Sequence, residues 1–174
     1  MINEFKEKLS INDHLENIYN DKNIEMITNL NKQYNVNLNY TIESMNELMS
    51  IIDSAKSSFE RKEIDSVFVD NLITILGTYV GDTLLKNGFA NNGFKWTVLE
   101  EIDNDKLMSF LNLENMKGPF VACIKGLLIP IDKVRKYWNN GKEDDLYSYC
   151  KAAIQYLKIE FNNNEDSHKF KILF

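Results

Sequence analysis

The chain has little of what catalysis usually draws on. Its 174 residues include only two histidines, two cysteines, two prolines and seven glycines. A nucleophile normally needs a base beside it. The histidines, His14 and His168, stand in polar end regions, where a surface position is the expectation. No spacing ties either of them to Cys150. There is no CxxC and no HExxH, so the common zinc patterns are absent. There is no Walker loop and no GxGxxG; Gly77 and Gly81 fall inside a helical pattern, where they cannot wrap a phosphate. No catalytic residue, metal or cofactor is therefore expected, and an enzyme is the less favoured reading.

The other scarcities bear on location and partners. Cys123 and Cys150 sit in apolar runs and read as free, buried thiols of a reducing compartment. The opening MINEFKEKLS has no signal-peptide core, so a cytoplasmic protein is expected. Asp70, Asn71 and Asp82 break the longest apolar stretch below the ~20 residues a membrane span needs. Arginine is rare, at 2 against 18 lysines, and asparagine is abundant, which suggests an AT-rich bacterial coding genome. The net charge is -6, with -4 over residues 1–64, -4 over 65–118 and +2 over 119–174. That balance argues against a broad nucleic-acid-binding face. It permits a basic protein partner, although solubility alone explains it too.

What is present is ordinary globular material, 44% hydrophobic and 26% charged. One domain is the simplest expectation for this length, with residues 1–40 a peripheral helical extension. The chain is organised around Asp65 to Gly88. Val69, Leu72, Ile73, Leu76, Tyr79, Val80, Thr83 and Leu84 recur at helical spacing. Val67, Phe68, Ile75 and Leu85 widen that stripe, so a helix buried on most sides is expected. Asp65 or Ser66 can cap its start; Gly88 suits the position past its end, with Lys86 beside the last carbonyls. Gly77 and Gly81 each cost a helix interior roughly 1 kcal/mol against alanine. Four apart, they make a flat strip for a close neighbour: a helix, a strand, a ring such as Trp96, or a ligand.

Around this helix the chain reads as α+β. Residues 3–33 suggest one or two short helices, with the second resuming at Ile24. Thr41 is expected to cap a helix whose face is Ile42, Met45, Leu48, Met49, Ile52 and Ala55. Ser57 to Glu63 is a polar link. Phe94, Trp96 and Val98 alternate as a strand. Lys106 to Leu113 is expected as a second strand and Phe120 to Ile129 as a third, with Gly126 marking a bulge or hairpin break. Three to four strands in an antiparallel meander result. Pro130 opens a helix with Val134, Tyr137 and Trp138. Glu143, Asp144 and Asp145 crowd the start of a last helix running to about Phe161. Lys169 to Phe174 reads as an edge strand or a tail.

These landmarks resemble a recurring family of small bacterial proteins built on a domain of unknown function. Its pattern is a helix with glycine-x-tyrosine-x-glycine-acid, then a strand with tryptophan, then a proline-opened helix, a glycine and an acidic helix start. Here those are Gly77, Tyr79, Gly81 and Asp82, then Trp96, Pro130 with Val134, and Gly141 with Asp144 and Asp145. Asp82 replaces the family's glutamate. The resemblance covers roughly Thr41 to Tyr156 and implies a fold more than an activity. It is also similar to the small acidic proteins encoded as toxin-immunity factors.

The candidate binding residues are carboxylates. Glu100, Glu101, Asp103 and Asp105 cluster at a strand end and turn, without EF-hand spacing. Glu143, Asp144 and Asp145 form a second acidic group. Asp82, late in an apolar helix, must reach water, bond a Tyr or Trp donor, or hold its proton tightly. Trp138, Tyr137 and Tyr147 are either core or an exposed aromatic anchor. Two function classes follow. One is a non-enzymatic protein-binding protein, most concretely an immunity-type inhibitor of a basic toxin. The alternative is a small-ligand binder or enzyme with a carboxylate site at Asp82. A self-associating structural module is a third.

Overall fold

The computed structural model describes residues 24–98, 119–123, 126–163 and 171–173. The chain divides into two units between Val36 and Asn37. In the first, residues 24–34 form helix α1, where the sequence pattern resumes after its break. Everything below concerns the second unit. His14, His168, the strand expected at 106–113 and the acidic group Glu100, Glu101, Asp103 and Asp105 lie outside the described residues.

The second unit is α+β. Its elements run α2 (Ser44–Glu60), α3 (Ser66–Leu84), β1 (Lys95–Thr97), β2 (Phe120–Cys123), β3 (Gly126–Leu128), α4 (Pro130–Asn140), α5 (Leu146–Asn163) and β4 (Lys171–Leu173). The sheet order is β1-β2-β3-β4. The first three strands are antiparallel, with Trp96 opposite Val121 and Ala122 opposite Leu127. The last strand joins the β3 edge in parallel, Ile172 opposite Leu127, after the chain has crossed over through α4 and α5. The long apolar run Phe120 to Ile129 is thus two strands, not one: it breaks just before Gly126, and β2 and β3 are both buried. A fully buried hairpin reads in sequence as one continuous apolar segment.

Helix α3 is the central element. Asp65 is its cap, accepting the Phe68 N–H at 2.8 Å. Leu72, Ile73, Leu76, Tyr79, Val80 and Leu84 are all buried. The helix then opens into a wide turn, Leu85–Phe89, in which Gly88 takes φ +116°, a value side chains rarely tolerate. One expectation for this helix fails. Val67 and Phe68 do not join the buried stripe; they are 65% and 44% exposed, in the first turn after the Asp65 cap. Lys86 is the basic residue of this last turn, as expected, and its ammonium lies 3.2 Å from the centre of the Tyr40 ring.

The glycine strip is where α3 is touched most closely. A Cβ on Gly77 would lie 2.5 Å from Ile131 Cα, at the start of α4. A Cβ on Gly81 would overlap the Trp96 ring and sit 3.1 Å from Pro130 Cγ. Glycine at these positions lets α4 and the sheet's tryptophan reach the helix backbone. The ligand-groove alternative for the strip is therefore filled by the protein itself.

Helix α2 begins at Ser44, two residues later than a Thr41 cap requires. The Thr41 hydroxyl turns instead to Asn39 Oδ1 at 2.7 Å. Met45, Leu48, Met49, Ile52 and Ala55 are buried as the spacing requires, while Ile42 stays half-buried outside the helix.

Candidate functional site

Asp82 and its neighbours form the most connected polar group. Trp96 Nε1 donates to Asp82 Oδ1 at 2.8 Å. The side chain emerges beside Gly81, against which the same tryptophan packs. Burial pushes the Asp82 carboxyl above its ordinary pKa, while the Trp96 hydrogen bond and the nearby Lys86 charge oppose that shift. One turn back, the Tyr79 hydroxyl accepts the Tyr40 N–H at 2.8 Å and meets the Ser44 hydroxyl at 2.6 Å. Ser44 Oγ in turn donates to the Thr41 carbonyl at 2.6 Å. Tyr40 holds a left-handed backbone, φ 61°, unusual for a bulky residue. It is fixed there by its stack on Tyr79, with centroids 4.8 Å apart, and by Asn87 Nδ2 donating to its carbonyl at 2.9 Å. Each member of this group is thus engaged by another. The arrangement locks the connector before α2 onto the end of α3.

The second acidic group is also committed within the fold. Asp144 receives Lys133 Nζ at 2.6 Å and Asn140 Nδ2 at 2.7 Å, and these partners hold its carboxyl below the usual range. Asp145 accepts the Ser148 N–H at 2.6 Å and so caps α5. Glu143 is exposed. Sequence reasoning placed these acids correctly at a helix start but grouped them as one binding face. The tertiary structure gives two of the three internal partners.

The three aromatics suspected of forming a patch are separated. Tyr137 is buried, and its hydroxyl donates to the Asp53 carboxylate at 3.2 Å; burial and that carboxylate raise its pKa to about 12. Tyr147 lines a cleft between α5 and Ile42 and Glu43, just before α2. Trp138 lies edge-on to Phe59, with centroids 6.1 Å apart, at the far end of α2. Lys56 Nζ donates to the Trp138 carbonyl at 2.9 Å and closes that end of α4.

Exposed apolar side chains stand at this end of α2 and in the first turn of α3. Helices α3 and α4 run antiparallel, with Gly81 at Pro130, Gly77 at Ile131 and Asp70 paired to Arg135 at 2.8 Å. Continued by one turn, that register places Val67 level with Trp138. Phe59, Val67 and Phe68 are 40%, 65% and 44% exposed, while Trp138 is half-buried. Charges of both signs stand close to these residues in the chain, in the pairs Arg61–Glu63 and Arg135–Asp70. The sequence carried one signal for this exposed group: Phe59 is an aromatic inside an otherwise polar link.

The cleft at the opposite end of α2 has a volume of about 300 Å³ and is lined by Ile42, Glu43, Tyr147, Lys151, Ile154, Gln155 and Lys158. Asp82 is not on its wall. Burial raises the Cys150 thiol to about 12, which disfavours the thiolate a nucleophile needs. Among the described residues no group of three or more His, Cys, Asp and Glu is placed to hold a metal, and no helix is long and apolar enough to cross a membrane. Compared with family models, curated proteins and solved structures, the chain finds no match.

Proposed function

We propose that this chain works by binding another protein through the apolar cluster of Phe59, Val67, Phe68 and Trp138. The observation that carries the reading is the exposure of Phe59, which lies edge-on to Trp138, and of Val67 and Phe68 at the start of α3, in a unit whose other large apolar side chains are mostly buried. Such a group, with charges of both signs close to it in the chain, has the anatomy of an interface core: aromatic anchors that exclude water, with polar groups at the edge. The basic-toxin form of the reading, an immunity-type inhibitor, draws on the net charge of -6 and on the family resemblance. It draws less on Asp144 and Asp145, which already have partners within the fold. The small-ligand alternative at Asp82 is weakened by the Trp96 hydrogen bond and by the filled glycine strip.

The test is a pair of affinity captures from the lysate of the native host, one with the wild-type chain and one with Phe59→Ser/Phe68→Ser. Both substitutions are at exposed positions, so the variant should fold, and circular dichroism checks that. A partner retained stoichiometrically by wild type and lost by the variant supports the reading. A partner held equally by both would move the contact face elsewhere, and an empty capture with wild type would count against protein binding itself.

A further inference from the structure

We infer that the cleft between α5 and the turn leading into α2 is a second docking site, and that it takes an acidic peptide segment with an apolar side chain between its carboxylates. Tyr147, Lys151, Ile154, Gln155 and Lys158 fall at helical spacings of three, four and seven, so one face of α5 forms the wall of the cleft. Its apolar members, Tyr147 and Ile154, are half-buried and face the half-buried Ile42 across the cleft. An aliphatic side chain seated there would complete their burial.

Charge names the occupant. Lys133, Arg61 and Arg135 each have a carboxylate partner in an ion pair. Lys151 and Lys158 have none among the described residues; the Lys151 ammonium lies only against the Tyr147 ring, 5.7 Å from its centre. The two lysines stand seven residues apart, about 10 Å along the helix axis. Against them the lining offers the single acid Glu43. Two cations flanking an apolar floor match two carboxylates flanking an apolar residue, and they reject a basic segment by like-charge repulsion. The cleft's shape favours a peptide over a small molecule. At about 300 Å³ it is at the lower limit of ligand pockets, and it opens to solvent along one side, so it cannot enclose most of a compact ligand. The site is separate from the Phe59 cluster, because the 17 residues of α2 hold the two about 25 Å apart.

The probe is a short fluorescein-labelled helical peptide bearing two glutamates seven positions apart around a central leucine. Its anisotropy is read against the full chain. The expected result is saturable binding that weakens about tenfold in Lys151→Glu/Lys158→Glu, weakens as salt is raised, and is unchanged in Phe59→Ser/Phe68→Ser. The same peptide with lysines in place of glutamates should not bind. Absence of binding to wild type, equal binding to the charge-reversed variant, or full displacement by inorganic phosphate or by a single-stranded oligonucleotide would each overturn the inference. Because the Phe59 variant is read in the same assay, failure here leaves the proposed protein-binding face standing, and the reverse also holds.

Discussion

Gly77→Ala sets helix propensity against packing, and the structure decides which wins. At an open helical position alanine would stabilise α3 by about 1 kcal/mol. Here the new Cβ would fall 2.5 Å from Ile131 Cα and 2.7 Å from Ile131 Cγ1. The Cγ1 atom can rotate away, but the Cα can move only if α4 moves with it. Overpacking a tight site costs about 1–3 kcal/mol, and a backbone obstacle puts the cost near the upper end. Net of propensity, the variant should lose about 2 kcal/mol, which lowers Tm by about 4–8 °C for a chain of this size. Thermal and urea melts followed by far-UV circular dichroism measure it. If Gly77→Ala melts at or above wild type, α4 does not rest on the helix backbone at that point, and the account of the glycine strip fails.

Further expectations rest on single side chains. Tyr79→Phe removes the acceptor of the Tyr40 N–H and a partner of Ser44, and should cost about 1–3 kcal/mol in urea melts; a neutral effect would mean the connector before α2 is held some other way. The Tyr149 hydroxyl is buried with no hydrogen-bond partner among the described residues, so Tyr149→Phe should raise stability by about 1 kcal/mol, and a loss would reveal a bond to that oxygen. Burial raises the Asp82 pKa, so the folded protein holds this proton more tightly than the unfolded chain. Its contribution is full below the ordinary carboxylate range and is lost as pH rises through the raised folded value. Asp82→Asn keeps an oxygen for Trp96 and removes the charge, so melts at stepped pH should favour the variant increasingly across that window, and parallel curves would contradict this. Asp144 has the opposite sign: its pKa is lowered by Lys133, so its contribution is present above the ordinary range and is lost as pH falls through the lowered value. The advantage of wild type over Asp144→Asn should therefore vanish on acidification.

The local elements were legible along the chain, because their causes are local. The three-and-four spacing of α3, its Asp65 cap, Pro130 at the start of α4 and the break before Gly126 all act within a few residues of themselves. Even the approach of Trp96 to the glycine strip was legible, since two glycines four apart in a costly position imply a bulky neighbour. What remained was decided by contacts distant along the chain. Val67 and Phe68 carry the same apolar pattern as the buried residues after them, yet the packing of the unit leaves them in water. Asp144 and Asp145 read as a free acidic face until Lys133 and the first turn of α5 are brought against them. The cleft joins Ile42 to Ile154, more than a hundred residues away, and no pattern in either segment announces it. Spacing specifies which side of an element is apolar; only tertiary packing decides how much of that side is covered.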